Sequence, residues 1–381
     1  MIQITYIVIK LIELFIFFVV GKDISKLKDD KSYWKTALPA IITFALVDGL
    51  RYLRMTDYEG NLWRYGLTNE NFYQDSDALF SFAMYFCKIT GIGFTGFMII
   101  QAGFLMFALL VLLKRYKECA MYALPILLPI IYMNENLTRW FTAISFLIIS
   151  YNYYIDKNNI KAGIFTLCAI LTHFAIVLII PFFLLHSFFN KKAIPPYISI
   201  PIYILILLFG NISSFKIIPI IANLILDTGI IPNTSTLAGH LRMTEALIAG
   251  EYLKMGIIQT SLFGKIIDII KYVPVIFFGA KIATAKNSVS FYNFVIIGLI
   301  LSPIFSQVEL LGRYSSLLVM FMYIIAALYF NEAFKKKGFE YIIAAISLFL
   351  FIYPQISLTL FRGGGEDQML FIWDSIKSFI P

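Results

Sequence analysis

Cysteine and charge are both scarce in this chain of 381 residues. Its three cysteines, Cys87, Cys119 and Cys168, are odd in number, share no CxxC spacing and lie in or beside apolar stretches. A disulfide framework and a zinc site are therefore unsupported, and packing is left as their role. Charged residues make up 14% of the chain, 60% are apolar and the mean hydropathy is +0.81, which excludes a water-soluble protein. A nucleotide loop is lacking too, since Gly363-Gly364-Gly365 has neither the strand nor the lysine that such a loop needs and reads as a hinge. There is no internal repeat and no low-complexity tract, so an inverted-repeat transporter gains no support. The first apolar stretch carries Lys10 and Glu13 and no small-residue cleavage site follows it, so it reads as a mature span.

What is present is a series of apolar blocks, at about 2–21, 37–50, 92–113, 119–133, 138–155, 162–185, 197–210, 265–280, 290–308, 311–330 and 339–360. A helix of about 20 residues crosses the hydrocarbon layer. The pattern predicts an all-α, polytopic integral membrane protein of about 11–12 transmembrane or re-entrant helices in one domain over residues 1–381, with 51–91 and 211–264 as external loop and interfacial-helix regions. The net charge of +8 does not point to nucleic acid, because the lysines cluster in short loops between apolar blocks.

Those lysines set the orientation. Loops 22–36, 114–118 and 331–338 are the richest and belong in the cytoplasm. Alternation works as far as Lys157 and Lys161, then fails if 162–185 is a single span, because Lys191 and Lys192 fall outside. The parity is restored if the block enters and returns, with a break at Thr172-His173 and Pro181 beyond it, giving arms of about 160–172 and 174–190; the alternative is one kinked span with an extra crossing elsewhere, near 78–91 or 214–226. Backbone broken at membrane depth needs protein or water around it, so His173 marks a cavity. In this frame both termini are external. Sixteen lysines and Arg115 are cytoplasmic, whereas Arg51, Arg54, Arg64, Arg139, Arg242, Arg313 and Arg362 are external. Orientation would be served by lysine equally well, so arginine on the outer face needs its own reason. Its planar fork grips phosphate bidentately, which points to an external phosphate-bearing ligand.

Four places can carry chemistry. If the helix of the second block continues past its outer end, Asp48, Arg51 and Tyr52 share one face and Asp48 would orient Arg51, with Arg54, Asp57 and Tyr58 just beyond. Asn136 and Arg139 form a short polar turn at the start of the fifth block. His173 interrupts an apolar run and is a candidate general base. Glu309 and Arg313 are four apart with Tyr314 adjacent, a spacing that suits an ion pair. Arg242 and Glu245 lie on a stretch of 211–264 that reads as an interfacial helix or lid. For the arginines the plainer alternative is interfacial anchoring, and for His173 a merely satisfied buried histidine.

The order of landmarks, Gly49-Leu50-Arg51-Tyr52 with Thr56-Asp57-Tyr58, then Asp77-Ala78-Leu79-Phe80, Asn136-Leu137-Thr138-Arg139 with Ala143, His173 with Pro181, and Arg313, resembles the EpsG-like family of Wzy-type exopolysaccharide and O-antigen polymerases. The chain departs from it in having Asp77-Ala78 for an acidic-proline pair, Trp140 for a glutamine, and an extra Arg54. The resemblance implies a fold similar to membrane glycosyltransferases of the GT-C type, in the bacterial inner membrane with the site facing the exterior. It implies polymerisation of repeat units linked to polyprenyl diphosphate, undecaprenyl diphosphate among such carriers. Arg51, Arg139 and Arg313 would hold the departing diphosphate, with Arg54, Arg242, Tyr58 and Tyr314 contributing and Asp48 and Asn136 supporting. His173 would be the first candidate base, and Asp57 or Glu309 the second. No cofactor is expected, with a divalent ion on Asp57 left open; membrane lipid, a flippase and a chain-length regulator are the expected partners. Other readings are a ligase or single-sugar glycosyltransferase and, from another class, a transporter of a lipid-linked or anionic solute.

Overall fold

A computed structural model of the chain describes residues 2–52, 57–75, 77–210, 227, 261–306, 309–361 and 370–371. It is helical, apart from a two-residue antiparallel pair, β1 (Arg51–Tyr52) with β2 (Leu370–Phe371). The chain forms two compact units, residues 1–183 with 351–381, and residues 184–350. Among the described residues two helical stretches, Gly93–Ile131 and Leu311–Ala333, are long and apolar enough to cross a membrane, and six shorter apolar helices accompany them.

The first unit begins with α1 (Ile2–Ser25), α2 (Tyr33–Gly49), α3 (Asp57–Leu67), α4 (Ala78–Ile89), α5 (Gly93–Leu113) and α6 (Ala120–Ile131). It continues with α7 (Thr138–Ile155) and α8 (Asn159–Thr172). The apolar blocks of the sequence coincide with these helices to within a few residues, because each block is a run of helix-compatible apolar side chains ended by a lysine-rich or polar turn. Helix α5 packs on α2 and α7, α1 packs on α2 and α6, and α7 packs on α8. Between α5 and α6 the chain kinks at Tyr116, and Asn134 beyond α6 bonds Gln101 in the first half of α5, so α6 runs back along the bundle.

The lysine-rich turns lie at one end of this unit. Lys117 and Lys114 pair with Asp30 at 2.7 and 3.5 Å, and Arg115 pairs with Asp156 at 2.6 Å, which brings the turns at 26–32, 114–118 and 156–158 together. Arg51, Arg64 and Arg139 gather at the other end, where α2 finishes and α7 begins.

The expected break occurs at its expected place. Asn158 caps α8 by accepting from the Lys161 amide, after a tight turn in which Lys157 has a φ of +59°. Helix α8 then runs antiparallel to α7 and stops at Thr172, and His173 is extended (φ −159°, ψ 107°). The His173 ring meets Trp140, near the start of α7, edge-on at 5.7 Å. Ten residues later Phe183 stacks on Tyr151, near the end of α7, at 4.5 Å. The chain therefore climbs along α7 and returns beside it. The returning arm is not the single helix expected for 174–190. It is a 3₁₀ segment, Phe174–Ile179, then α9 (Ile180–Leu184) and α10 (His186–Phe189). A 3₁₀ segment rises about 2.0 Å per residue, so this arm covers the distance with fewer residues, and Pro181 sits in the first turn of α9, where its missing N–H costs nothing.

Glycine is required where α2 meets α5. A Cβ on Gly49 would stand 2.5 Å from Ile99 Cα, against backbone that cannot swing aside. Gly49→Ala should accordingly cost about 1–3 kcal/mol, read as a fall in Tm of the purified protein, and an unchanged Tm would show that the helices can part without loss.

In the second unit, Asn293 on helix Val289–Phe305 donates to the carbonyls of Phe189 and Lys192 (2.7 and 2.9 Å) and accepts from the Ile194 amide. This pins the Lys191-Lys192 turn to the end of the unit that holds Lys286. The apolar block expected at 311–330 divides at Phe321 into helices Glu309–Met320 and Met322–Ala333.

Candidate active site

The side chain at the centre of the arginine end is Asp77, just before α4, with a side chain only 6% exposed. Arg139, on the first turn of α7, donates from Nη1 to Asp77 Oδ2 at 2.7 Å. Arg64, on α3, reaches the same oxygen at 3.4 Å. On the other side Asp77 Oδ1 faces His173 Nδ1 at 3.6 Å. Arg64 also donates to Asp75 and to Ser81 Oγ (3.0 Å), and Ser81 donates to Asp75 Oδ2 at 2.7 Å. Two carboxylates, two guanidinium groups and an imidazole from α3, α4, α7 and the break after α8 thus form one cluster.

Burial raises the Asp77 carboxyl pKa, but the neighbouring His173 ring and the charges of Arg139 and Arg64 outweigh it and hold the group at about 2. Asp75 is lowered in the same way, with burial opposed by the Ser81 hydrogen bond and the Arg64 charge. Both are carboxylates at neutral pH, and they fix the guanidinium planes. Beside the cluster lies a cavity of about 570 Å³ whose wall includes Asp57, Trp63, Arg64, Asp75, Ser81 and Arg139.

Arg51 occupies a different place from the one expected. It is 1% exposed. Its Nη1 donates to Asp48 Oδ2 at 2.7 Å, so the expected pairing with Asp48 is present, and its Nη2 donates to Thr138 Oγ1 at 2.9 Å. Asn134 donates to the same Asp48 oxygen, and Gln101 donates to Asn134 Oδ1 at 2.8 Å. The guanidinium is enclosed by protein partners that tie α2, α5 and the start of α7 together.

The remaining candidates separate. Asn136 accepts from the Asp57 amide at 3.1 Å and so caps α3. Asp57 is the first residue of α3 and reaches the cavity wall. Tyr58, expected near the phosphate, is 4% exposed and packs against Phe94, because its position on α3 faces α4 and α5. Arg313 is half-buried and Tyr314 buried on helix Glu309–Met320 of the second unit. The Glu309 side chain, Arg54, Arg242, and nearly all of the predicted 211–264 region lie outside the described residues. Among the described residues no group of three or more His, Cys, Asp or Glu side chains is arranged to hold a metal ion.

Sequence reasoning passed over Asp77, Asp75 and Arg64 as site residues, Asn134 as a partner of Arg51, and Gln101 as the residue that holds Asn134. For Gln101 a signal existed, a lone amide inside the apolar run of α5. For Asp75 and Asp77 the signal was two carboxylates at i, i+2 directly before an apolar helix, within reach of an external arginine.

Comparison with known proteins gives one family, described as the EpsG family, whose family model matches residues 34–370 and so spans every residue of the cluster. No curated protein and no solved structure matches the chain.

Proposed function

Because this chain belongs to the EpsG family, we propose that it is a membrane polysaccharide polymerase that moves a glycan from its polyprenyl-diphosphate carrier to the next lipid-linked repeat unit. The same reading sets it in the bacterial cytoplasmic membrane with its site toward the exterior, and groups its helical bundle with GT-C-type glycosyltransferases. The observation that carries it is the convergence of Arg139, Arg64 and His173 on Asp77 beside a cavity, at the end of the first unit away from the lysine turns.

The cluster supplies what glycosyl transfer asks for. With Nδ1 turned toward Asp77, His173 keeps Nε2 for the acceptor hydroxyl. Nε2 takes the hydroxyl proton while the oxygen attacks the anomeric carbon. The bond from that carbon to the carrier oxygen breaks, and its electron pair leaves on the diphosphate. Arg139 uses Nη1 on Asp77, and its remaining N–H groups answer the charge that develops on the leaving oxygen. The donor is already activated, so the transfer needs no cofactor. A direct displacement inverts the anomeric centre.

Reconstitution in liposomes with lipid-linked repeat units tests this. The wild type should give a ladder of products, and Arg139→Lys should lower turnover by about 10²–10³-fold at unchanged Tm, because lysine cannot bridge carboxylate and diphosphate with one planar group. A wild-type ladder from Arg139→Lys would overturn the role, and a single added unit from the wild type would make the protein a single-transfer enzyme.

A further inference from the structure

Resting on that reading, we propose that the cavity on the front of α3 is a sugar subsite, in which a pyranose ring of the repeat unit stacks on Trp63 while its hydroxyl groups bond the surrounding amide and carboxylate side chains. Helix α3 is fixed at its back and both ends. Tyr58 and Tyr65 pack edge-on against Phe94 at 5.4 and 5.5 Å. Asn136 caps the first turn, and Lys88 Nζ holds the far end through the carbonyls of Gly66 and Thr68 (2.6 and 2.9 Å). The front is spared for something other than folding. There Trp63 is 69% exposed and shares the cavity wall with Asn61, Asn69, Asn71 and Asp57.

A tryptophan that only anchored the chain in lipid would keep apolar company. This one shares its wall with Leu67 and Phe72 but also with three asparagines and the carboxylates of Asp57 and Asp75. A pyranose has a C–H face that suits the electron-rich face of an indole and a rim of hydroxyls that suits groups able to donate and accept. The volume, about 570 Å³, falls within the roughly 300–1,000 Å³ typical of small-ligand sites. Arg64 and Arg139 form part of the same wall, so a ring held here has its neighbouring linkage at the charged cluster.

Two glycines of α3 make the test. Gly60 lines the cavity and Gly66 does not, yet a Cβ at either meets nothing within 4 Å. Leucine should be tolerated by the fold at both, since replacing a helical glycine favours the helix. The probe is the repeat oligosaccharide released from its lipid by mild acid, labelled at the reducing end, and bound to the full-length protein in detergent. Gly60→Leu and Trp63→Ala should each weaken binding by about 10-fold or more, while Gly66→Leu stays within about twofold of wild type. Equal binding by the two leucine variants overturns the subsite, as does failure of the wild type to bind. Displacement of the oligosaccharide by inorganic diphosphate alone would reassign the cavity to the anion and overturn it too. The two readings fail separately. Binding that depends on Gly60 without any ladder from lipid-linked substrate refutes the polymerase and keeps the subsite. A ladder from Gly60→Leu at wild-type KM refutes the subsite and keeps the polymerase.

Discussion

Asp77→Asn is expected to reduce glycan extension by about 10³–10⁴-fold, the scale seen when an imidazole base loses its orienting carboxylate. The amide is nearly isosteric, so the cluster keeps its shape while losing the charge on which Arg139, Arg64 and His173 converge at 2.7, 3.4 and 3.6 Å. Asn also offers Nδ2 hydrogens to guanidinium groups that have only donors, and it must turn one partner away. The stability of the wild type carries a matching signature. Its Asp77 carboxyl titrates at about 2 when folded, below the ordinary value near 3.9. A lowered carboxylate pKa means that stability is present above about pH 4 and is lost as pH falls through 2, by roughly 2–3 kcal/mol. Unfolding followed against pH should show this loss in the wild type and not in Asp77→Asn. Wild-type turnover in the Asn variant would remove Asp77 from the mechanism and leave His173 without its partner.

The fold was legible where one physical signal acted alone. Runs of apolar residues ended by lysines gave the helices to within a few residues, because the cost of burying polar groups in hydrocarbon dictates both run length and flanks. His173 was legible because three signals agreed: a polar residue inside an apolar run, a proline beyond it, and a charge parity that a returning segment satisfies. The secondary structure of the returning arm was not legible, since the choice between 3₁₀ and α geometry depends on packing against α7.

The site was legible only in part, and distance along the chain explains why. The Asp48–Arg51 pair is three residues apart and so readable as a local contact, although α2 ends at Gly49 and Arg51 lies in β1 instead of on a continued helix. The partners that close Arg51 off, Asn134 and Thr138, lie 83 and 87 residues away. Arg139 and Asp77 meet across 62 residues, and no periodicity reports such a meeting. Tyr58 misled for a related reason. Its hydroxyl suggested a ligand contact, while its place on α3, opposite the cavity face, committed the ring to the core beside Phe94.

Arg51→Lys should act on folding before it acts on chemistry, at a cost of about 1–3 kcal/mol, the range for leaving a buried polar partner unsatisfied. An Arg51 that only held the diphosphate, as expected above, would leave the variant folded and without turnover. The burial of Arg51 reverses that order, because an ammonium cannot reach both Asp48 and Thr138, so one of the two buried hydrogen bonds is lost. Asp48→Asn should be destabilising for the reciprocal reason. Joint replacement, Asp48→Leu with Arg51→Met, should recover part of the loss, since no charge is left stranded, but not all of it, because Asn134 loses its acceptor. Thermal unfolding of the purified variants checks the series, with Arg139→Lys as the control at the exposed edge of the same end. If Arg51→Lys unfolds at the wild-type temperature and yet extends no glycan, the guanidinium is a ligand contact after all, and α2 must move to uncover it during turnover.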